Sequence, residues 1–470
     1  MADISTDLVV LGGGPGGYAG AFLAADRGVQ TVLVDAEPKP GGTCLHRGCI
    51  PSKTLLHAAH VIHAAHDAEQ FGIKFAKPEI NIDVLRAKGL KVVDMMASHL
   101  LELCKKRGIQ HVNSKATLVD ANTLQAENGT RIRFKRLMIA TGSLPTKLPS
   151  LEIGSKRIVD STGALKLENV PATLLVVGGG YIGLEMGSVY AALGSKVTVV
   201  ELTDGLLPGV DADLVRPLQA RLRGQFAAIW LKTKVVKVED VKDGVKVSFE
   251  GEGPQKEAVF EKVLVAAGRK PNSKDMGFEK VGIEIDAKGF IKTDEQRRTN
   301  VPHIFAIGDV AGEPMLAHKA SHEAKLAVQV MTGDDIYWDP RCIPAVVFTD
   351  PEIAWAGLME NDAKKAGREV KVGTFRWGQS GRATTIGRSD GLTKVVTDPA
   401  TDMVLGIGFV GPGAGELVGE AVLAIEMGAT AKDIALSIHP HPTLTETLSE
   451  AAESLHGLAT HLYTPTKKVL

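Results

Sequence analysis

Apolar runs alternate with glycine clusters and helical stretches along the chain, and this pattern occurs twice. The run LVVL at 8–11 leads into a glycine cluster, a small-residue helix and the run TVLVD, which ends at Asp35. The run LLVV at 174–177 leads into a second glycine cluster, another helix and the run KVTVVE, which ends at Glu201. Buried strands that alternate with helices are typical of parallel sheets. The pattern therefore predicts an α/β fold that contains two Rossmann-like units.

Each unit continues into a β-hairpin and closes on a further apolar strand. Tight-turn dipeptides mark the hairpins, at Asn128–Gly129 in the first unit and at Asp243–Gly244 in the second. The closing strands with their glycine turns are LMIATGS at 137–143 and VLVAAGR at 263–269. The two units are therefore expected to repeat the same order of elements.

The first unit is the longer one. Gly12 and Gly142 lie 130 positions apart, whereas the corresponding Gly178 and Gly268 lie 90 positions apart. The turn signals indicate that the extra segment holds two closely spaced cysteines and a helical stretch from about Ser52 onwards. We expect the chemistry in this insertion, because it contains the unusual residues.

The pattern changes after residue 272. A segment that ends in TNVPHIFAIGDV precedes a helix from about Ala317, and from about Ala345 β segments alternate with helices as far as the run HPHP. A chain of 470 residues is too long for one hydrophobic core. We therefore predict four domains, at residues 1–147, 148–271, 272–345 and 346–470.

Each glycine cluster has the spacing GxGxxG between a strand and a helix. In dinucleotide-binding folds the first glycine permits a tight turn, the second lets the backbone approach the pyrophosphate, and the third packs the helix on the strand. Asp35 and Glu201 each lie eighteen positions after the last glycine, where a carboxylate binds ribose hydroxyls. A glycine-rich turn without a ligand is the alternative for each motif. Together the motifs predict two dinucleotide cofactors.

The surroundings of Glu201 indicate which nicotinamide cofactor is used. The residues Leu-Thr-Asp follow it, and no Arg or Lys comes close behind. A carboxylate repels a 2′-phosphate, and no cation stands near in the sequence to bind one. The sequence therefore favours NAD over NADP.

Composition excludes several function classes. Charged residues make up 23% of the chain and the formal net charge is −1, without a basic stripe for nucleic acid or an anionic membrane. No apolar segment reaches the length of a membrane span, and no basic leader precedes the first strand. We expect a cytoplasmic protein of a bacterium, with an organelle matrix as the alternative if a transit peptide has been removed.

Four cysteines occur, and two of them, Cys44 and Cys49, lie five positions apart. Further ligands for a zinc or iron–sulfur site do not lie nearby in the sequence, so no metal is expected. A thiolate at the start of a helix beside Lys53 has a lowered pKa, and Pro51 suits the first helical position. The pair is a candidate redox centre, with a structural disulfide or two buried thiols as alternatives. The other two cysteines are expected to be small buried apolar residues.

A candidate base lies near the end of the chain, where His441 precedes Glu446 by five positions. A carboxylate that binds one ring nitrogen of a histidine orients the ring and stabilises the imidazolium. A solvated loop histidine is the alternative, and the spacing alone does not decide between the two.

Longer motifs carry a family resemblance: GGTCLHRGCIPSK (41–53), GGGYIGLEMG (178–187), AIGDV (306–310), MLAHKA (315–320), FTDPEIAWAG (348–357) and HPTLTE (441–446). The chain resembles the pyridine nucleotide-disulfide oxidoreductases from about residue 5 to about residue 455. The redox motif is typical of the whole family. The last three motifs narrow the resemblance to the members that oxidise dihydrolipoamide.

The resemblance implies roles for the candidate catalytic residues. Cys44 would be the interchange thiol that reacts with the dithiol substrate, and Cys49 would be the thiol that faces the flavin. Lys53 would lie near the flavin ring and pair with Glu185. The base would be His441, oriented by a carboxylate, and it would reach into the active site of the other subunit. An obligate homodimer follows from this last implication.

Two cofactors, FAD and NAD, are also implied, together with the residues that hold them. The FAD residues are Gly12, Gly14, Pro15, Gly17, Asp35, Gly42, Thr43, Cys44, Cys49, Lys53, Ala116, Thr141, Gly142, Ser143, Arg269, Gly308, Asp309, Met315, Leu316, Ala317 and His318. The NAD residues are Gly178, Gly180, Tyr181, Ile182, Gly183, Glu185, Glu201, Val235 and Gly268, with Tyr181 at the nicotinamide pocket.

The resemblance implies an enzyme that oxidises protein-bound dihydrolipoamide and passes a hydride to NAD⁺. Its partners would be a lipoyl-bearing carrier domain and a 2-oxoacid dehydrogenase or glycine cleavage complex. The last predicted domain would be an α+β dimerisation domain, and the third would complete the FAD site. A glutathione reductase-like enzyme and a non-catalytic structural subunit are the alternatives.

The cysteine motif departs from the family pattern at one point. His46-Arg47 occurs where many members carry Asn-Val. We therefore expect the surroundings of the cysteine pair to be more basic than usual.

Overall fold

The computed structural model describes residues 3–463, and its first elements follow the predicted strand–glycine–helix order. The first strand begins at Asp3, earlier than the predicted Leu8, and its last four residues are buried. The next helix packs closely on it, since a Cβ added at Gly17 would lie 1.8 Å from the carbonyl oxygen of Gly12. The elements are β1 (Asp3–Leu11), α1 (Pro15–Asp26), β2 (Thr31–Asp35), α2 (Gly42–Arg47), α3 (Cys49–Asp67), α4 (Ile82–Lys106), β3 (Gln110–Asn113), β4 (Ala116–Asp120), β5 (Thr123–Ala126), β6 (Arg131–Ile139) and β7 (Ser143–Pro145).

The insertion after β2 consists of helices α2, α3 and α4. Helix α3 begins at Cys49 and not near Ser52, so Pro51 is its third residue rather than its first as predicted. The physical reason is Gly48, whose backbone (φ −145°, ψ −113°) ends α2 and lets the next helix begin at once. Helical geometry therefore starts at the second cysteine itself.

The second unit repeats the arrangement with its own parallel sheet. Its elements are β8 (Ile158–Val159), α5 (Ser161–Leu165), β9 (Thr173–Val177), α6 (Tyr181–Ala192), β10 (Lys196–Val200), α7 (Ala212–Gln225), β11 (Ala228–Trp230), β12 (Thr233–Val241), β13 (Gly244–Gly251), β14 (Glu257–Phe260), β15 (Lys262–Val265) and β16 (Arg269–Pro271). The parallel sheet has the order β11-β10-β9-β15-β8. Strands β12, β13 and β14 form a separate antiparallel sheet, with the predicted turn at Asp243–Gly244 between the first two.

The next segment returns to the first sheet. It contains β17 (Ile304–Ala306) and α8 (Ala317–Met331), which begins at the predicted residue. The first sheet has seven strands in the order β3-β2-β1-β6-β5-β4, and β17 pairs in parallel with β6. Strands β5 and β6 form the hairpin predicted at Asn128–Gly129. Residues from beyond position 272 therefore complete the sheet that the N-terminus begins.

The C-terminal part is an antiparallel sheet covered by helices, and its first strand begins at the predicted Ala345. Its elements are β18 (Ala345–Val347), β19 (Glu352–Gly357), α9 (Glu360–Lys365), β20 (Lys371–Arg376), α10 (Gly381–Thr385), β21 (Leu392–Thr397), β22 (Val404–Gly411), α11 (Ala414–Glu426), α12 (Ala431–Leu436) and α13 (Glu446–Ser454). The strand order is β18-β19-β22-β21-β20. Short 3₁₀ helices cover Ala68–Phe71, Pro149–Leu151, Glu279–Val281, Gly308–Val310 and Trp377–Gln379. Among residues 3–463, no helix has the length and apolarity of a membrane span.

Two clusters of charged residues tie the second unit to the C-terminal sheet. Lys394 of β21, 1% exposed, lies 2.9 Å from Asp211, 2.6 Å from Asp213 and 3.0 Å from Glu360. Asp211 also accepts the backbone N–H of Glu360 at 3.1 Å. These carboxylates raise the pKa of Lys394 although burial opposes them. The ammonium is therefore held charged inside the contact between the two parts.

The second cluster centres on Arg221 of α7. Its guanidinium lies 2.9 Å from Asp350, which precedes β19, and 2.7 Å from Asp67 at the end of α3. Arg388 lies 2.7 Å from the other oxygen of Asp350. Three parts of the chain thus meet at one ionic cluster.

We expect the variant Lys394→Met to lose about 3 kcal/mol of unfolding free energy, because it leaves the buried carboxylate of Asp211 without its counter-charge. Thermal and denaturant unfolding measure this change. The control is Lys364→Met on the exposed side of α9, which should change stability by less than about 0.5 kcal/mol. Equal stability of the two variants would contradict an energetic role for the cluster.

Candidate active site

A cavity of about 700 Å³ lies where the glycine turn after β1, the insertion and the first turn of α6 come together. Sites of this size at the carboxyl ends of parallel strands are typical of cofactor binding. It is lined by most of the predicted site residues: Gly12, Gly14, Pro15, Asp35, Gly42, Thr43, Cys44, Cys49, Lys53, Ala116, Thr141, Gly142, Ser143, Tyr181, Ile182, Glu185, Arg269, Gly308, Asp309, Met315 and Ala317.

Three residues predicted for the flavin site do not line this cavity. Gly17 packs α1 on the glycine turn. Leu316 is the residue before α8, and its carbonyl accepts the N–H of Ala320 at 3.1 Å. The ring of His318 is bonded through Nε2 to the carbonyl of Pro344 at 2.8 Å, and burial lowers the pKa of His318.

The backbone of the cavity fits an extended dinucleotide. Gly42 lies so close to Gly14 that a Cβ added to it would be 2.5 Å from the Cα of Gly14, and its φ is +57°. Side chains at these positions would fill the space between the glycine turn and the start of α2. Because both positions lack side chains, a pyrophosphate can approach the backbone there, as dinucleotide binding requires.

The two acidic residues of the glycine motifs have the same local geometry. Asp35 accepts the N–H of Gly13 and, at 2.8 Å, that of Glu37. Glu201 accepts the N–H of Gly179 at 2.6 Å and that of Thr203 at 2.8 Å. Burial raises the pKa of Asp35 although the two N–H groups oppose this effect. Each carboxylate is thus fixed beside the residue that follows the first glycine of its own motif.

The remaining residues predicted for NAD lie around the second glycine turn and do not line the 700 Å³ cavity. Gly178 and Gly268 both have positive φ, at +113° and +93°. Val235 is buried in β12. Tyr181, at the start of α6, follows the second glycine turn directly. Its side chain lines the cavity and is also exposed at the surface.

Cys44 and Cys49 are free thiols that line the cavity together. The neighbouring thiol of Cys44 lowers the pKa of Cys49 to about 7, and the ammonium of Lys53 contributes in the same direction. The neighbouring Cys49, together with burial, raises the pKa of Cys44. The negative charge of the pair therefore resides on Cys49, at the start of α3, where the helix dipole also favours an anion.

Lys53 is fixed by contacts from two other parts of the chain. Its ammonium donates to Oε2 of Glu185 on α6 at 2.9 Å and lies 4.4 Å from the ring centroid of Phe348. The N–H of Phe348 donates to Oε1 of Glu185 at 3.0 Å. Phe348 is the first residue of the FTDPEIAWAG motif, but the motif alone does not reveal its contacts with Lys53 and Glu185.

A second group of contacts joins the closing strands of the two units beside the cavity. Strand β16 pairs with β7, and Arg269 donates to the hydroxyl and to the carbonyl of Ser143, each at 2.7 Å. The hydroxyl of Ser143 also donates to Asp309. Asn272, which the sequence analysis missed, accepts the hydroxyl of Thr141 at 2.7 Å. The first three predicted domains therefore all contribute residues to the polar end of the cavity.

The expectation of unusually basic surroundings is wrong in one respect. Arg47 lines the cavity but is paired with Glu37, so its charge is balanced. The ring of His46 is bonded to the carbonyl of Lys39 at 2.9 Å. The balancing carboxylate lies ten positions earlier in the chain, and the cysteine motif alone does not reveal it.

His441 and Glu446 form the predicted pair. Nδ1 of the ring lies 2.8 Å from Oε1 of Glu446, whose other oxygen accepts the N–H of Thr443 at 2.7 Å. Burial raises the pKa of Glu446, but these two contacts outweigh it and hold the pKa below its usual range. The His441 side chain is 72% exposed and does not line the cavity of its own chain. The ring is therefore accessible to groups outside the cavity of its own chain.

Comparison with known proteins gives matches along the whole chain. Residues 6–324 match the family described as pyridine nucleotide-disulphide oxidoreductase, and residues 343–452 match its dimerisation domain. A dihydrolipoyl dehydrogenase of Vibrio parahaemolyticus is 47% identical, and the alignment covers 100% of this chain and 99% of that protein. A dihydrolipoyl dehydrogenase of Haemophilus influenzae is also 47% identical, with 98% and 97% covered.

Solved structures are similar over the same length. The LpdA protein of Mycobacterium tuberculosis superposes with a TM-score of 0.88 at 26% identity, and 96% of this chain and 99% of that chain are covered. The HOCl-induced flavoprotein disulfide reductase RclA of Escherichia coli gives a TM-score of 0.85 at 25% identity, with 95% and 99% covered.

The pKa of Cys49 leads to a prediction for its reactivity. Iodoacetamide reacts with thiolates, so the modification rate of Cys49 in the reduced protein should rise with pH, with a midpoint at about 7. Lys53→Met should move this midpoint upward, because the ammonium that favours the thiolate is lost. Trypsin cleaves after Arg47, so mass spectrometry distinguishes Cys49 from Cys44.

The control for this prediction is Lys39→Met, since Lys39 belongs to the same insertion but pairs with Asp94 away from the cavity. Its midpoint should equal that of the unmodified sequence. An unchanged midpoint in Lys53→Met would refute the assigned influence of the ammonium.

Proposed function

The chain belongs to the pyridine nucleotide-disulphide oxidoreductase family, and we propose that it oxidises dihydrolipoamide through the Cys44–Cys49 pair and His441. The enzyme is an NAD-dependent flavoprotein, a dihydrolipoyl dehydrogenase. The observation that carries the proposal is the thiol pair at the start of α3, with its charge on Cys49 beside the ion pair of Lys53 and Glu185. Such a pair exchanges with a dithiol because its thiolate is a good leaving group.

The residues of the chain perform the dithiol half of the reaction. Nε2 of His441 accepts a proton from one thiol of dihydrolipoamide, while Glu446 holds Nδ1 and stabilises the imidazolium. In the oxidised enzyme Cys44 and Cys49 would form a disulfide. The substrate thiolate attacks the Cys44 sulfur of this disulfide, and Cys49 leaves as a thiolate. The second substrate thiol then displaces Cys44, and its proton passes to the Cys44 sulfur. Dihydrolipoamide is thereby oxidised to lipoamide, and the protein disulfide is reduced to the Cys44 thiol and the Cys49 thiolate.

The cofactors are FAD and NAD, and the predicted sets of residues would hold them. Gly12, Gly14 and Asp35 would bind the FAD dinucleotide, with Ser143 and Asp309 at the polar end of the cavity. When bound, FAD would supply the two-electron redox chemistry that links the cysteine pair to NAD⁺. The protein contributes alignment, the charge on Cys49 and a cavity that excludes water.

We assign the second glycine turn to NAD. The glycine turn of Gly178, Gly180 and Gly183 would bind the pyrophosphate and pack the helix on the strand. Glu201 would bind the ribose. Tyr181 would gate the nicotinamide, since it lines the cavity and reaches the surface. Ile182, Val235 and Gly268 complete this set.

Four functional regions follow as a proposal. Residues 1–147 would bind FAD and carry the redox insertion, and 148–271 would bind NAD. Residues 272–345 would complete the FAD site, as the pairing of β17 with the first sheet supports. Residues 346–470 would form the dimer, and those as far as 452 match the dimerisation domain of the family.

The partners are proposed from the same site. The exposed His441 does not face the thiols of its own chain, which supports a homodimer in which each active site is shared. The substrate would be a lipoyl group on a carrier domain of a 2-oxoacid dehydrogenase or glycine cleavage complex. The bacterial relatives support a location in the cytoplasm.

A steady-state assay tests the function. The purified protein with FAD should reduce NAD⁺ with dihydrolipoamide and show no more than background activity with glutathione disulfide and NADPH. The Cys44→Ser variant is the control, because it lacks the interchange thiol. Efficient reduction of glutathione disulfide would instead favour the glutathione reductase-like alternative.

Glu201 should set the preference for NAD. Because its carboxylate repels a 2′-phosphate, kcat/KM with NAD should exceed that with NADP by about 100-fold or more. Glu201→Gln should reduce this ratio, whereas Glu239→Gln on the exposed side of β12 should leave it unchanged. A ratio near one in the unmodified enzyme would contradict the assignment.

Hybrid dimers test the shared site. His441→Gln and Cys44→Ser should each lose almost all turnover while they keep FAD and fold. When the two variant chains are refolded as a mixture, each hybrid has one intact site if sites are shared, so about one-quarter of the activity should return. Activity that stays at background would show that the base and the thiols act within one chain.

A further inference from the structure

Phe348 lies at the junction of three parts of the chain. Its backbone N–H binds one oxygen of Glu185 on α6, and its ring lies 4.4 Å from the ammonium of Lys53 on α3. Lys53 binds the other oxygen of Glu185 at 2.9 Å. Phe348 itself belongs to the region that matches the dimerisation domain. It therefore contacts both members of the ion pair beside the thiols.

Phe348 does not belong to the lining of the cavity that contains Cys44 and Cys49. Any influence on the thiols must therefore pass through Lys53 or Glu185. The two residues differ in exposure: the Glu185 side chain is 4% exposed, whereas that of Lys53 is 31% exposed. Lysine has a flexible stem and a strongly hydrated head, which readily turns towards water.

The aromatic ring of Phe348 keeps the ammonium of Lys53 in place. A cation above the face of an aromatic ring is attracted by the electrons of that face. Without the ring, Lys53 could exchange its contact with Glu185 for water, but the buried Glu185 could not follow. The carboxylate would still be held by the N–H of Phe348, which any side chain at 348 preserves.

We propose that Phe348 is a positioning residue of the redox centre, whose ring holds the ammonium of Lys53 between Glu185 and the cysteine pair. The inference rests on the proposed function and deepens it, because it names a residue of the dimerisation region that controls the same site. The packing of the dimerisation region thereby influences the thiols through Lys53, without direct contact.

The direction of the effect follows from the groups around Cys49. These are Cys44 on α2, Lys53 on its own helix, Glu185 and Tyr181 on α6, and Tyr18 on α1. Lys53 favours the thiolate and Glu185 opposes it. Loss of the ring leaves the charge of Glu185 less balanced, and Cys49 becomes harder to ionise. The carboxylate of Glu352, on β19, also faces Lys53.

The test uses the reduced holoenzyme and the pH midpoint of the long-wavelength charge-transfer absorbance between the Cys49 thiolate and the flavin. Phe348→Leu removes the aromatic face but keeps an apolar side chain and the backbone N–H, and its midpoint should rise by roughly half a pH unit. Phe348→Tyr keeps the face and should match the unmodified enzyme. Because Phe348 is only half-buried, both variants should fold and retain FAD.

The matched control is Phe375→Leu in the core of the same region, where the side chain is 1% exposed. It should lower the melting temperature and leave the midpoint unchanged. An unchanged midpoint in Phe348→Leu, or an equal rise in Phe375→Leu, would overturn the inference. Turnover of dihydrolipoamide is measured separately, so absence of this activity would refute the proposed function while the midpoint still tests Phe348.

Discussion

Glu185 is a buried carboxylate with one donor from each of two other parts of the chain, and the arrangement of the redox centre depends on it. Lys53 reaches it from the insertion, and the backbone of Phe348 reaches it from the C-terminal region. A buried charge without partners is costly, so both donors must be in place when the protein folds. The assembly of the parts and the charge on Cys49 are therefore governed by the same contacts.

The structure can be described as one scaffold used twice. In each unit a strand, a glycine turn and a helix lead to a second strand. A carboxylate at the end of that strand accepts the N–H of the residue after the first motif glycine, as Asp35 and Glu201 show. The units differ by the insertion, which supplies the thiols and Lys53. The scaffold thus provides two places for nucleotides, and the insertion provides the chemistry between them.

Local signals in the sequence predicted much of this arrangement. The glycine motifs, the two hairpin turns and the starts of α8 and β18 depend on neighbouring residues, and they lie where expected. The pairing of His441 with Glu446 was left open by the spacing alone, and it is present in the structure. The start of α3 was misplaced because the backbone of Gly48, rather than Pro51, decides where the helix begins.

The residues that the sequence analysis missed act over long distances in the chain. Phe348 and Glu185 are 163 positions apart, and Asn272 and Thr141 are 131 apart. Such contacts form only after separate sheets have come together, so no periodicity or spacing encodes them. The same holds for Arg47, because the motif shows its charge while the fold supplies Glu37 to balance it.

The two ionic clusters of Lys394 and Arg221 have a consequence for how nucleotide reaches the site. They connect the second unit to the C-terminal sheet, with a buried ammonium in one cluster and a guanidinium shared by two carboxylates in the other. A swinging motion of that unit as a rigid body would break both clusters. On the proposed assignment of the second glycine turn to NAD, entry and exit of the nicotinamide should therefore proceed by local rearrangement near Tyr181, on a framework whose overall geometry stays constant through the catalytic cycle.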